Sequence, residues 1–311
     1  MPPAEPTAGS PATTVRDLRP RLIRLAYQLV GSVPEAEDIV QEALLRWYQA
    51  GPDGIAQPWS WLAKVVCHLG LDHLRSARHR RERPTGTWLP VPPVAPEPAD
   101  PAEEVVLDEA IGSAVLVLLE TLTPAQRVVF VLHEVFGWPF TTIAELLGRT
   151  PQSCRQLASR ARAKVRGDRP RAPVDAKEHR AVVSAFREAC VRGDVDALLP
   201  LLDDAVVVRS DGGAVTAARR PIHGRGRVAT YLSRVLAKWD VRLRSAIVGG
   251  SPGIVVMCAD GGEDRVVAVV SVVVRHSRVS TLDILLDPAK LAHLPDAMPA
   301  GGRARSLARR A

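Results

Sequence analysis

The sequence predicts a multidomain fold: two all-α modules followed by an α+β domain. Three observations carry this. Helical periodicity fills residues 15–83 and 105–171, a proline-rich stretch separates them, and valine-rich alternating runs dominate after residue 240. A chain of 311 residues with 46% apolar content is long enough for more than one core.

Residues 1–14, rich in Pro, Ala and Thr, are expected to be a disordered start. The first module spans 15–83. Leu18, Leu22, Leu25, Ala26 and Leu29 keep helical spacing up to Gly31. Ser32 with Glu35 three residues on then reads as a capping box for a helix reaching about Tyr48. After the Gly51–Gly54 turn, third and fourth helical stretches run from Pro58 to Arg83. Four helices in seventy residues imply a compact bundle. From Pro84 the chain holds seven prolines by Pro101, and Glu97, Asp100, Glu103 and Glu104 make it acidic, so 84–104 reads as an extended linker without regular structure.

The second module, 105–171, resumes helical patterning at Val105–Leu119, and Thr123-Pro124 caps a helix through about Val135. Two short helices then meet at Gly148. Ile143, Ala144 and Leu147 line the first, and Thr150 caps the second, which opens at Pro151. The third module, 176–291, predicts helices at 176–191 and 195–202, a strand at Ala205–Arg209, a turn at Asp211-Gly212-Gly213, and a helix near Arg225–Trp239. Three β runs follow at 241–248, 253–259 and 265–285, giving an α+β domain. Residues 292–311 read as a mobile basic tail.

The net charge of +7 is unevenly spread. Residues 84–122 hold no Lys or Arg, whereas 149–173 hold eight basic residues against one acid, Asp168. Basic islands flanking an acidic stretch suit a polyanion touched at two places. Cys67, Cys154, Cys190 and Cys258 lie far apart in apolar segments, which fits small core residues and neither a metal site nor a disulfide framework. The chain carries no apolar run of membrane-spanning length and no signal-peptide pattern, so a cytoplasmic protein with no metal, no cofactor and no membrane partner is expected.

Three surfaces carry the chemistry. In the second helix of the 141–166 pair, Cys154, Ala158, Ala161 and Val165 form the packed stripe, leaving Gln152, Ser153, Arg155, Gln156, Ser159, Arg160 and Arg162 outward. Those side chains supply the donors that base edges and phosphates accept. Leu157 sits between the two sets. In the first module, Ala36, Val40, Ala43 and Trp47 turn inward, while Glu35, Asp38 and Glu42 share one outer face suited to a basic protein partner. Further on, Trp59 and Trp61 accompany Lys64, His68, Arg75, Arg78, Arg80 and Arg81. This is the mixture of π faces and cations that unstacked bases need, although Trp61, between Leu62 and Val65, is expected to lean into the core.

The strings AEDIVQEALLRW, PWSWLAKVVCHLGLDHLRS and LTPAQRVVFVLHEVFGWPFTTIAELLGRTPQSCRQLASRARAKV resemble regions 2 and 4 of the extracytoplasmic-function sigma factors of the sigma-70 family. The third segment resembles the subgroup with a C-terminal SnoaL-like, NTF2-like domain. The likeness extends over residues 15–291. It implies two all-α sigma modules, a region 2 helical bundle and a region 4 helix-turn-helix, followed by an α+β cone, and a protein that directs promoter-specific initiation.

It further implies that Asp38, Gln41 and Glu42 face core RNA polymerase at its β′ subunit, with β as a further partner. Trp59, Trp61, Lys64, His68, Arg75 and Arg78 would open and read the −10 element. Gln152, Ser153, Arg155, Gln156, Ser159, Arg160 and Arg162 would read −35, while the acidic linker threads toward the active-centre channel. Trp88-Leu89-Pro90, Asp211-Gly212-Gly213 and Asp287-Pro288-Ala289-Lys290-Leu291 resemble the subgroup's linker, turn and tail motifs. They imply regulation by intramolecular contact, in place of a separate anti-sigma factor. The chain departs from the family at His68, where Asn is common, and at Leu157, where a basic residue is common.

SnoaL-like cones can be catalytic, and His223, Asp211, Asp240 and Asp283 are the acid–base groups on offer here. They form no spaced pair or triad, so no enzyme is expected. A small-molecule ligand in the cone is left open. The competing reading is a one-component regulator, in which a ligand domain controls the helix-turn-helix.

Overall fold

A computed structural model describes residues 11–81, 87–97, 116–168 except 118, 175–213, 217–260 except 219, and 263–294 except 293. The chain divides into two compact units. One comprises Met1–Pro84 with Val115–Arg169, and the other Thr85–Ala114 with Pro170–Ala311.

In the first unit, helix α1 spans Pro11–Val30. It therefore begins inside the segment expected to be unstructured, with Pro11 at a first position where a missing N–H costs nothing. Helix α2 spans Val33–Ala50 and buries Ala36, Ile39, Val40, Ala43 and Trp47. The expected capping box does not form: the Ser32 side chain makes no cap bond, and Glu35 instead reaches His73 at 3.2 Å. Pro58–Arg81 is one continuous helix, α3, where two were expected. Gly70 does not break it because it lets the Leu29 side chain approach, to 3.1 Å of where a Cβ would stand.

Of the expected 105–119 helix, only Leu116, Val117 and Leu119 fall among the described residues, and all three are buried. Helix α4, Pro124–Phe130, starts with a complete capping box. Thr123 Oγ1 accepts from the Gln126 amide, and Gln126 Oε1 accepts from the Thr123 amide at 3.0 Å. It runs on into a π-helical turn, Val131–Val135. Helix α5, Phe140–Leu147, ends at Gly148 with φ 59°, the left-handed conformation that favours glycine. It buries Ile143, Ala144 and Leu146, so Leu146 replaces the expected Leu147. Helix α6 spans Pro151–Asp168, capped by Thr150, whose Oγ1 accepts from the Ser153 amide.

The second unit holds a seven-stranded sheet: β1 Val94–Pro96, β2 Leu202–Asp211, β3 Ile222–His223, β4 Val241–Val248, β5 Ser251–Asp260, β6 Glu263–Arg275 and β7 Arg278–Leu285. Its order is β1-β4-β5-β6-β7-β2-β3, antiparallel throughout except for the β2–β7 pair. Helices α7 Ala176–Arg192, α8 Val195–Leu198 and α9 Arg225–Lys238 cover one face, and α10 Pro288–Leu291 follows the last strand. Val182, Phe186, Leu198, Val228, Leu243, Val272 and Leu282 belong to that helix-side core. Val91, Ala246, Val248, Val255, Met257, Val269, Leu285 and Leu291 form a separate cluster on the opposite face, as strand alternation requires.

Three expectations change in this unit. The helix expected at 195–202 shortens to α8 and a 3-10 turn, because β2 already begins at Leu202. The run 265–285 is a hairpin, turned by His276 (φ 50°) and Ser277 (φ 57°) between the paired residues Arg275 and Arg278. Most importantly, the linker is not free of regular structure, since it supplies β1. The four cysteines form no disulfide, with Cys67, Cys154 and Cys190 buried and Cys258 half-buried. Burial pushes the Cys190 thiol up to about 12 and raises that of Cys67 further.

Both turn residues pay the left-handed penalty without being Gly or Asn. His276→Asn should therefore stabilise the second unit by about 0.5–1 kcal/mol, read as a higher denaturation midpoint with unchanged m-value.

Candidate nucleic-acid surfaces and a linker clamp

The stripe of α6 is as expected: Cys154, Ala158 and Ala161 are wholly buried and Val165 nearly so. This turns Gln152, Arg155, Gln156, Ser159 and Arg160 to solvent, with Ser153 half-buried. Leu157 is half-buried, between the stripe and the open face. Arg162 differs from its neighbours because its Nη1 lies 3.2 Å from Glu134 Oε1 on the π-helical turn.

On α2, Asp38 and Gln41 are exposed, while Glu42 accepts from Arg46 Nε at 2.8 Å. Glu35 leaves the expected acidic row for His73. On α3, Lys64 and Arg75 are exposed, and Arg75 pairs with Asp72 at 3.4 Å. Arg78 belongs to α3, but its side chain lies outside the described residues.

The tryptophans exchange their expected roles. Trp59 is the core residue, only 6% exposed, and Trp61 is half-buried. The Arg21 guanidinium lies 3.7 Å over the Trp59 ring, and Phe136, beyond α4, stands 6.5 Å away. Sequence neighbours misassign Trp59 because its burial comes from α1 and from the second helical module, which no local pattern shows. His68 is tied the same way: its Nε2 donates to the Leu146 carbonyl at 3.1 Å. Arg127, 2% exposed, pairs with Glu120 and donates from Nε to the Gln28 carbonyl of α1. The two helical modules thus share one interface, and it occupies part of the expected −10 surface.

In the second unit the linker, turn and tail motifs converge on Asp211, a buried carboxylate. Its Oδ2 accepts from the Leu89 amide at 2.8 Å and from Lys290 Nζ at 2.6 Å. Its Oδ1 accepts from the Gly213 amide at 3.2 Å. Lys290 Nζ also donates to the Leu89 carbonyl at 2.7 Å and lies 4.2 Å from the centre of the Trp88 ring. Leu89 is therefore held by both its N–H and its C=O.

The accompanying residues have identifiable tasks. Gly213 (φ 52°) has no room for a Cβ, because the Asp287 carboxylate fills that space. Asp287 Oδ1 caps α10 by accepting from the Ala289 amide. Leu291 joins Val91 in the outer cluster; Pro90 and Gly212 are buried and Pro288 is exposed. Glu97 closes the far end of the linker on Arg180 of α7, at 3.0 Å.

None of the four acid–base candidates points into the helix-covered side of the sheet. Asp211 and Asp283 lie on the opposite face, where Asp283 makes a bidentate pair with Arg209 at 2.6 and 3.0 Å. Burial raises the Asp283 carboxyl above its usual range, against the pull of Arg209. His223 ends β3, just before α9 rather than within it, and Asp240 is exposed.

Lys290→Met should remove the cation shared by Asp211, Leu89 and Trp88. Hydrogen exchange at the Leu89 amide should then accelerate by about tenfold or more, while α7 amides keep their protection.

Residues 14–80 match the family model "Sigma-70 region 2" and residues 113–165 match "Sigma-70, region 4". The chain is 39% identical over 294 residues to the ECF RNA polymerase sigma factor SigJ of Mycobacterium tuberculosis, covering 89% of this chain and 92% of that protein. A probable ECF sigma factor of the same organism, SigI, is 37% identical over 278 residues, covering 88% and 92%. The crystal structure of M. tuberculosis SigJ superposes with a TM-score of 0.73 at 36% identity, covering 92% of this chain and all of that one. The chain belongs to the extracytoplasmic-function sigma factors of RNA polymerase.

Proposed function

We propose that this sigma factor is regulated by its own C-terminal domain, which acts by capturing the linker between the two promoter-reading modules. The observation that carries this is the linker's place in the fold: Val94–Pro96 is a strand of the C-terminal sheet, and Leu89 is clamped by Asp211 and Lys290. Family membership makes core RNA polymerase and promoter DNA the partners, makes transcription initiation the task, and assigns the protein no catalysis of its own. It also decides against the one-component regulator. No helix among the described residues is long and apolar enough to cross a membrane. The cytoplasm, where polymerase is, is the proposed place of action.

The functional division follows the modules: 15–83 as region 2, 84–104 as linker, 105–171 as region 4, 176–291 as the SnoaL-like domain, and 1–14 and 292–311 as end segments. In this reading Asp38, Gln41 and Glu42 meet the polymerase, at the β′ clamp helices. Trp59, Trp61, Lys64, His68, Arg75 and Arg78 handle the −10 strand, and Gln152, Ser153, Arg155, Gln156, Ser159, Arg160 and Arg162 meet the −35 duplex. The capture of residues 87–97 removes roughly 35–40 Å of extended reach from the connection between the modules. It also withholds the linker from the polymerase channel.

Run-off transcription with core polymerase tests the reading. Truncation before Asp287, which removes Lys290 and the α10 cap, should raise activity; truncation after Arg171 should lower it. Equal activity of both truncations and the full chain would reject regulation by this domain. Asp38→Lys with Glu42→Lys should weaken core binding at least tenfold while helix content by circular dichroism stays constant.

Phe136→Ala should loosen the interface over Trp59 and red-shift tryptophan emission. An unchanged spectrum would contradict the packing of Trp59 between the modules.

A further inference from the structure

We propose that the π-helical turn Val131–Val135 positions Arg155, at the start of the α6 face, to read a base. This rests on the proposal that α6 meets the −35 duplex. The turn inserts one residue into the α4 ladder, with the Phe136 amide donating to the Val131 carbonyl. π-Turns of this kind recur at functional positions because they re-aim side chains that an α-helix would face elsewhere.

His133 and Glu134 lie on that turn. The His133 ring stacks on the Phe140 ring of α5, with centroids 4.0 Å apart and planes 29° apart. Its Nδ1 donates to the Trp138 carbonyl at 2.9 Å, which fixes the tautomer and locks the ring plane. Phe140 in turn lies beneath Arg155, whose Cζ stands 6.0 Å from the ring centre, at the outer limit of cation–π range. The result is a column of His133, Phe140 and Arg155, built from a π-turn, a first helix and a recognition helix.

An arginine placed over an aromatic face keeps its N–H donors available, because those donors lie in the guanidinium plane and the contact uses the face. Arg155 is therefore restrained yet still able to bond bidentately to a base edge with two acceptors, as guanine presents in the major groove. Arg162, at the other end of the face, donates from Nη1 to Glu134 Oε1 at 3.2 Å, and its remaining donors stay available. Phe140 and His133 are thus positioning residues for Arg155.

The test uses the full chain with core polymerase, a promoter selected by that holoenzyme from a randomised library, and single substitutions through its −35 element. The readout is discrimination: transcription from the selected sequence relative to each substituted one. Arg155→Ala should lose discrimination at one base pair. Phe140→Leu should lose about three- to fivefold of it at the same base pair and none elsewhere. Phe140→Tyr should restore it, and the Phe140→Leu/Arg155→Ala double variant should be no worse than Arg155→Ala.

If Arg155→Ala discriminates like wild type, base reading by Arg155 fails and its positioning with it; if Gln156→Ala and Arg160→Ala also discriminate like wild type, the −35 reading of α6 itself fails. If Arg155→Ala loses discrimination and Phe140→Leu keeps it, or loses it evenly at all positions, positioning by Phe140 fails while the reading stands. Should Phe140→Leu not fold by circular dichroism, His133→Ala puts the same question to the base of the column.

Discussion

The carboxylate of Asp211 is the constraint on which the second unit's hold on the linker depends. It joins segments separated by 122 residues on the linker side and 79 on the tail side, and it is buried where an uncompensated charge would be costly. Three donors satisfy it: the Leu89 amide, the Gly213 amide and Lys290 Nζ. Each comes from a different motif, so the motifs are parts of one hydrogen-bonded site. The glycine of the turn, the cap residue Asp287 and the aromatic face of Trp88 follow from that site. Gly213 leaves the space that the Asp287 carboxylate fills, Asp287 caps the helix that carries Lys290, and Trp88 faces the Lys290 ammonium.

In the first unit a comparable role falls to Arg127, buried between the helical modules and bonded to Glu120 and to the Gln28 carbonyl. Removing one partner of such a pair costs more than the pair contributes, because the other charge is left in a dry site. Trp59 and His68 belong to that interface, through Phe136 and the Leu146 carbonyl. Side chains proposed to meet promoter DNA are thus already in contact with protein.

Periodic local pattern made much of this legible. The α6 stripe, the inward face of α2, the Thr123 cap and β4 follow directly from residue order, because each depends on neighbours within one or two turns. What failed depended on distant residues. Ser32 and Glu35 have capping-box spacing, but His73 on α3 competes for Glu35. The two stretches expected at 58–83 are one helix, in which Gly70 admits the Leu29 side chain. The hairpin at His276-Ser277 lacks the Asn-Gly signal its backbone would favour. The linker's prolines argued against a strand, yet an edge strand tolerates proline on its open side, and β1 is an edge. The convergence of the three motifs on Asp211 was legible only as a resemblance, since no spacing in the chain relates residues 89, 211 and 290.

The edge position of β1 also bears on how the proposed capture could be strong enough to hold and weak enough to release. Three residues pair with β4, from Val94 opposite Val248 to Pro96 opposite Ala246, and the Gly249 amide adds one bond to the Pro93 carbonyl. So short a strand, with proline at one of its three positions, is a weak ladder by itself. Its hold comes from outside the ladder: the Asp211–Lys290 clamp at Leu89, the Val91 side chain in the outer cluster, and Arg180 on Glu97. Two of these three attachments are electrostatic, and one is built around a lysine from the last short helix. A partner that competes for the linker therefore need not unfold the sheet. It has only to draw Lys290 or Leu89 away from Asp211, after which the ladder has too few bonds to persist. Under the proposed regulation, control of the linker lies in the tail motif rather than in the strand pairing.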